Sequence, residues 1–198
     1  MADGRSPAAA GLRILTLLTL LAALAVATAA APPGYYPARA GLSWTYSSGE
    51  TQQLAGPRDV DGHKVMVLTH YFNGVPVSED YLQFSADGVK TLGTAASGKV
   101  TLYPSPLTVY PASPLKPGMQ WQSTTKLPSF DITLSSDVVG IRGVKTQAGR
   151  FNALQIRQRT LTSNGGKTVM DLFFVPSVGV VRFVTQDGTT IDLIDKNF

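Results

Sequence analysis

The stretch GVKTQAGRFNALQIRQRTLTSNGGKTVMDLFFVPSVGVVRFVTQ, from Gly143 to Gln186, decides the fold. Its apolar residues fall into three short runs rich in β-branched and aromatic side chains. Such side chains suit a pleated, half-buried surface. Ser163-Asn164-Gly165-Gly166 separates the first run from the second, and Pro176-Ser177-Val178-Gly179 separates the second from the third. Asn and Gly accept turn conformations at little steric cost, and Pro cannot donate to a ladder. The stretch therefore predicts antiparallel strands. A two-residue turn centred on Asn164-Gly165 sets Arg157 opposite Leu172, Arg159 opposite Met170 and Gln155 opposite Phe174. The other face pairs Ile156 with Phe173 and Leu154 with Val175, and reads as core.

The same pattern extends outward in both directions. Leu42, Trp44 and Tyr46 alternate with Ser and Thr, the period-2 mark of a half-buried strand. His63 to Phe72, HKVMVLTHYF, reads as a strand, and Asn73-Gly74 turns it back. That turn places Phe72 opposite Val75 and His70 opposite Val77. The return strand passes through Tyr81, Leu82 and Phe84, and Asp87-Gly88 leads to Val89–Leu92. Further on, Ile132 to Val139 reads as a strand, Gly140 to Gly149 as a turn with a short strand, and Asp187-Gly188 as the turn into Thr189–Ile194. Residues 103–118 contain Pro104, Pro106, Pro111, Pro114 and Pro117, and read as a crossover or an edge strand. No helical period runs through eleven or more residues after the first 31. The fold class expected is all-β: one domain over 32–198, an antiparallel meander forming a curved open barrel or sandwich.

Residues 1–31 have a different character. Arg5 and Arg13 precede ILTLLTLLAALAVA (14–27), and Thr28-Ala29-Ala30-Ala31 follows. A charged start, an apolar run and small residues are the layout of a signal peptide. The run is short of the roughly 20 residues a spanning helix needs. The expected destination is the periplasm or the outside of the cell, with an N-terminal membrane anchor as the alternative. The chain has no Cys. Disulfides, thiolate catalysis, Cys metal sites and lipid anchoring through Cys are thereby excluded. The formal charge is +4, and removing Asp3, Arg5 and Arg13 with the signal leaves about +3. That is too weak a balance to indicate nucleic acid as a partner.

Tyr36-Pro37 with Gly41-x-x-Trp44-x-Tyr46 is echoed by Tyr110-Pro111 with Gly118-x-x-Trp121. This echo suggests that each half of the fold begins with a Gly-x-x-Trp strand. These motifs are joined by Ala148-Gly149-x-Phe151 and Val175-Pro176-x-Val178-Gly179. Together they resemble those of a broad group of uncharacterised exported bacterial all-β proteins, often lipoproteins. The resemblance implies a fold and an exported location and brings no catalytic residues; this chain departs from the lipoprotein members in having no Cys. In architecture it is also similar to half-open barrels that carry lipids or lipoproteins through the periplasm.

The chemistry-bearing motifs are few. His63 and His70 lie seven apart in one strand, on opposite faces, and form no local metal pair. Asp59-Val60-Asp61-Gly62 lacks the further acidic ligands of a calcium loop. Gly165-Gly166-Lys167-Thr168 lacks the first glycine of a phosphate-binding loop and has no helix after it. There is no Gly-x-Ser-x-Gly elbow. Glu79 and Asp80 are neighbours on opposite faces and make no carboxylate pair. No catalytic residue, metal site or cofactor is expected.

What remains is charge. Val138 to Met170 contains no Asp or Glu but carries Arg142, Lys145, Arg150, Arg157, Arg159 and Lys167. In the predicted register Arg157 and Arg159 share a face with Met170, Leu172 and Phe174. Guanidinium groups grip phosphate or carboxylate, and apolar neighbours accept a tail. These five residues are the expected ligand site. The function expected is an exported, non-catalytic binding or structural protein of the envelope that takes a lipid or an anionic envelope polymer. A module docking to an envelope protein is the alternative, and a hydrolase fits less well.

Overall fold

Twelve strands follow one another along the described residues, and within each half every strand pairs antiparallel with the next. In this computed structural model the described residues are 34–198, so the signal-like segment 1–31 lies outside them. The first half comprises β1 (Ser43–Tyr46), β2 (Glu50–Val60), β3 (His63–Phe72), β4 (Val75–Ser85), β5 (Gly88–Ala96) and β6 (Lys99–Pro111). The second comprises β7 (Gln120–Lys126), β8 (Asp131–Thr146), β9 (Gly149–Thr162), β10 (Lys167–Val175), β11 (Gly179–Thr185) and β12 (Thr190–Lys196). The described residues include no helix. The expected all-β meander is the fold observed, and it forms a nearly closed barrel.

Two seams join the halves, and they differ in kind. At the first, β1 pairs with β12, with Trp44 opposite Lys196 and Thr45 opposite Asp195. At the second, β6 and β7 lie side by side without a ladder. Side chains bridge them instead: the Thr108 N–H donates to Ser123 Oγ (2.8 Å), and Trp121 Nε1 donates to the Val109 carbonyl (3.2 Å). Pro104, Pro106 and Pro111 offer no N–H on β6, so a regular ladder cannot run its length. The segment 103–118 is thus an edge strand as far as Pro111 and a link beyond it. The two Gly-x-x-Trp segments hold equivalent places, since β1 and β7 each open a half.

Three local registers depart from the sequence reading. The turn between β9 and β10 closes on Thr162 and Gly166, with three residues between them, because the Thr162 N–H donates to the Gly166 carbonyl (2.9 Å). Gly165, at φ +96°, supplies the left-handed residue that such a loop needs. The pairing slips by one residue, and a one-residue slip exchanges the faces of the facing strand. Arg157 therefore faces Asp171 rather than Leu172, and Arg159 faces Val169 rather than Met170. Phe174 sits opposite Leu154 rather than Gln155. Next, a bulge between His70 and Tyr71 puts His70 opposite Ser78, not Val77. Finally, β8 runs unbroken through Gly140, accommodating it with an irregularity between Val138 and Gly140.

The core has two main clusters inside the barrel. Trp44, Tyr46, Leu54 and Val181 belong to one; Val138, Ile156, Leu172 and Phe174 belong to the other. Full burial of side chains of this size contributes roughly 1.5–3 kcal/mol each. Tyr35 and Tyr36 precede β1 and tie it to the second seam. Tyr36 stacks on Tyr110 at 5.3 Å and donates to the Pro111 carbonyl (2.7 Å), and the Leu115 N–H donates to Tyr35 Oη (3.0 Å). A third, smaller cluster of Val65, Val67, Tyr81 and Leu92 lies on the opposite face of β3–β5, since Val67 alternates with the inward Leu68.

Candidate functional site

The interior is not completely filled. A cavity of about 360 Å³ lies between the halves. Leu54, Leu68, Leu82 and Phe84 line it from the first half, and Leu134, Leu172 and Phe174 from the second. Each comes inward because alternate strand residues face one way.

One wall is polar. Leu54, Leu68, Asp80 and Thr94 form a row across β2–β5, and Gln52, His70 and Ser78 form the next row. His70 sits between two carboxylates. Its Nδ1 lies 2.7 Å from Glu50 Oε1, and its Nε2 lies 3.1 Å from Asp80 Oδ2. Gln52 Nε2 adds a bond to Glu50 Oε1 at 2.9 Å. Burial alone would lower the imidazole pKa. The hydrogen bonds to Asp80 and Glu50, with the charges on both, outweigh that and push it up to about 9. The His70 hydrogen bond in turn holds the Glu50 carboxyl below its usual range. At neutral pH the trio is two carboxylates around one imidazolium, with one net negative charge.

His70 has no nitrogen to spare for another partner. Both are engaged by carboxylates, so the ring is not placed as a free base. Among the described residues, no group of three His, Cys, Asp or Glu side chains is arranged to hold a metal ion. Tyr103 also lines the cavity, and burial raises its pKa. Tyr46, raised mainly by burial, is protonated and donates to the Val180 carbonyl (2.9 Å).

The five residues expected to form a ligand site divide between two faces. Met170, Leu172 and Phe174 line the cavity. Arg157 and Arg159 alternate with inward residues of β9 and face the other way. Arg157 Nε and Nη2 reach the two oxygens of Asp171 at 2.8 and 2.9 Å, and Arg159 pairs with Asp137. The structure does not bring the arginines together with Leu172 and Phe174, because the register places an acid, not Leu172, across from Arg157; Met170 borders both the cavity and a shallow hollow that holds the two arginines.

No family model matches the chain. No curated protein matches it. Two solved structures are similar to it in outline. One is a lipoprotein candidate from Parabacteroides distasonis, at 11% identity and a TM-score of 0.44, covering 82% of this chain and 98% of its own. The other is an exported-protein candidate with a YmcC-like fold from Bacteroides fragilis, at 11% identity and a TM-score of 0.45, covering 83% and 99%. Likeness this distant has no bearing on activity or ligand.

The sequence reading gives His70 no metal partner and no ligand role, and does not single out Glu50. A signal was present. On three consecutive strands a polar residue sits two positions from a leucine: Gln52 and Leu54, Leu68 and His70, Asp80 and Leu82. That spacing puts polar and apolar side chains on one face, three strands wide. The separation of Glu79 from Asp80 is as expected. Glu79 turns outward to Arg58 (2.7 Å), and Asp80 turns inward to His70.

Proposed function

We propose that this protein is an exported, non-catalytic binding protein that holds a small apolar or amphipathic molecule inside its barrel. The observation that carries this reading is the cavity of about 360 Å³ with mostly apolar walls and its charged lining groups, His70 and Asp80, side by side on β3 and β4. Ligand pockets commonly occupy about 300–1,000 Å³, mostly apolar with a few placed polar groups. The volume lies at the low end, which favours a single-tailed molecule over a diacyl lipid. The signal-like segment supports an envelope or extracellular setting. Arg157 and Arg159 take no part in this reading, since they face away from the cavity and are paired with acids.

Uptake of the neutral dye N-phenyl-1-naphthylamine tests it. The protein should enhance the dye's fluorescence saturably, and Leu68→Trp, which fills the cavity from β3, should abolish the effect while the far-ultraviolet β spectrum stays unchanged. Dye uptake that survives both Leu68→Trp and Leu134→Trp would overturn the reading.

A second reading, a protein-docking module, rests on a different surface. Val77 and Val100 are about half exposed and line one hollow beside Arg58 and Glu79, and Phe72 and Val75 at the β3–β4 tip are exposed as well. Val77→Asp with Val100→Asp should then remove a partner in pull-downs and leave dye uptake intact.

A further inference from the structure

The polar wall specifies a head group. Of the ionisable side chains that line the cavity, His70 and Asp80 alone carry charge near neutral pH, and Glu50 stands directly behind His70. Neither Arg nor Lys lines it. We propose that the ligand is an amphiphile with a cationic, hydrogen-bond-donating head, an amine or ammonium, seated against Asp80, with the Glu50 carboxylate behind His70 adding negative charge and with its tail among Leu54, Leu68 and Leu82. This inference rests on the cavity reading above.

Three features support it. First, the acceptors outnumber the donors. Within the cavity His70 engages Asp80 Oδ2 but not Asp80 Oδ1, and a carboxylate accepts at both oxygens. Second, the net charge of the trio is negative, and in a half-buried setting a like-charged head is disfavoured more than it would be in water. Phosphate and carboxylate heads are therefore rejected, the reverse of what the outward arginines would select. Third, the rings of Phe84, Tyr103 and Tyr110 line the same cavity, and aromatic faces attract cations.

Three molecules with one tail and different heads provide the test: decylammonium, decanol and decanoate, each competing against N-phenyl-1-naphthylamine at pH 7. Decylammonium should displace the dye at about tenfold lower concentration than decanoate, with decanol between them. In Glu50→Gln with Asp80→Asn the preference, read as the ratio of the displacing concentrations of decanoate and decylammonium, should shrink to within about twofold. Equal or better displacement by decanoate on the unmodified protein overturns the inference, and so does a preference that survives the double substitution. The ranking on unmodified protein decides the matter even where the double variant does not fold. Failure of the dye itself to bind sinks the cavity reading, and this inference with it. Dye binding with the wrong head-group order sinks the inference alone.

Discussion

Arg157 forks onto Asp171, its direct neighbour across the β9–β10 ladder, with two N–H···O bonds of 2.8 and 2.9 Å. The carboxylate is the less exposed partner, at 15% against 42% for the guanidinium. The Arg157 hydrogen bond holds the Asp171 carboxyl below its ordinary value. A depressed folded-state pKa stabilises above the unfolded value, near 4, and that contribution is lost as pH falls through the folded value. Asp171→Asn should therefore cost about 1 kcal/mol at pH 7, the modest figure reflecting the exposed arginine. The gap should narrow as pH falls below about 4. Urea unfolding at pH 7 and pH 3 measures both, and a gap independent of pH would refute the assignment. Dye uptake should be unaffected, because the pair faces away from the cavity.

The Glu50–His70–Asp80 trio has the opposite pH signature. The His70 pKa is raised to about 9 in the folded protein. A raised pKa stabilises fully below the unfolded value, near 6.5, and the contribution fades as pH climbs through the folded value. Stability should decline between about pH 6.5 and pH 9, by up to about 3 kcal/mol. His70→Gln should flatten that slope. A slope unchanged in His70→Gln would show that other groups cause it.

Burial separates two isoleucines fifteen residues apart. Ile156 is 0% exposed at the centre of the second-half core, and Ile141 is 57% exposed. Ile156→Ala should cost about 2–5 kcal/mol through lost burial and a new cavity. Ile141→Ala should stay within about 0.5 kcal/mol. Equal losses in chemical denaturation would mean that the inward face of β9 has been assigned to the wrong alternation.

The β6–β7 seam invites a covalent bridge. The Thr108 N–H and Ser123 Oγ are 2.8 Å apart, and the chain has no Cys to compete. Thr108→Cys with Ser123→Cys should form one intramolecular disulfide on oxidation. Closing a loop of this length stabilises by up to about 3 kcal/mol. A melting temperature that rises on oxidation and reverts on reduction is the expected result. Disulfide-linked dimers in place of the internal bridge would show that the two edges are not adjacent in solution.

Local grammar carried most of the fold into the sequence. His63–Phe72 is a strand at the residues read for it, and Asn73-Gly74 turns it with Phe72 opposite Val75. Each of these depends on neighbours in the chain. The β9–β10 register was not legible because Ser163-Asn164-Gly165-Gly166 satisfies a two-residue or a three-residue loop equally well. The hydrogen bond from Thr162 to Gly166 settles it, and no local residue announces that bond. The pairing of β1 with β12 was hidden for a different reason, since nothing in Ser43–Tyr46 names a partner some 150 residues away. The site followed the register. With Arg157 turned outward, the charged groups among the described residues that line the cavity are His70 on β3 and Asp80 on β4, each two positions from a leucine, Leu68 and Leu82.

The seam between β1 and β12 also orders events in time. Among the described strands β1 is synthesised first and Thr190–Lys196 after all the others. Until β12 arrives, β1 presents a bare edge, and a bare edge is a template for pairing with another chain. Contacts this far apart in sequence make folding slow, in the millisecond-to-second range typical of all-β topologies. Loss of the final strand would then show itself less as a lower melting point than as aggregation of newly made chains.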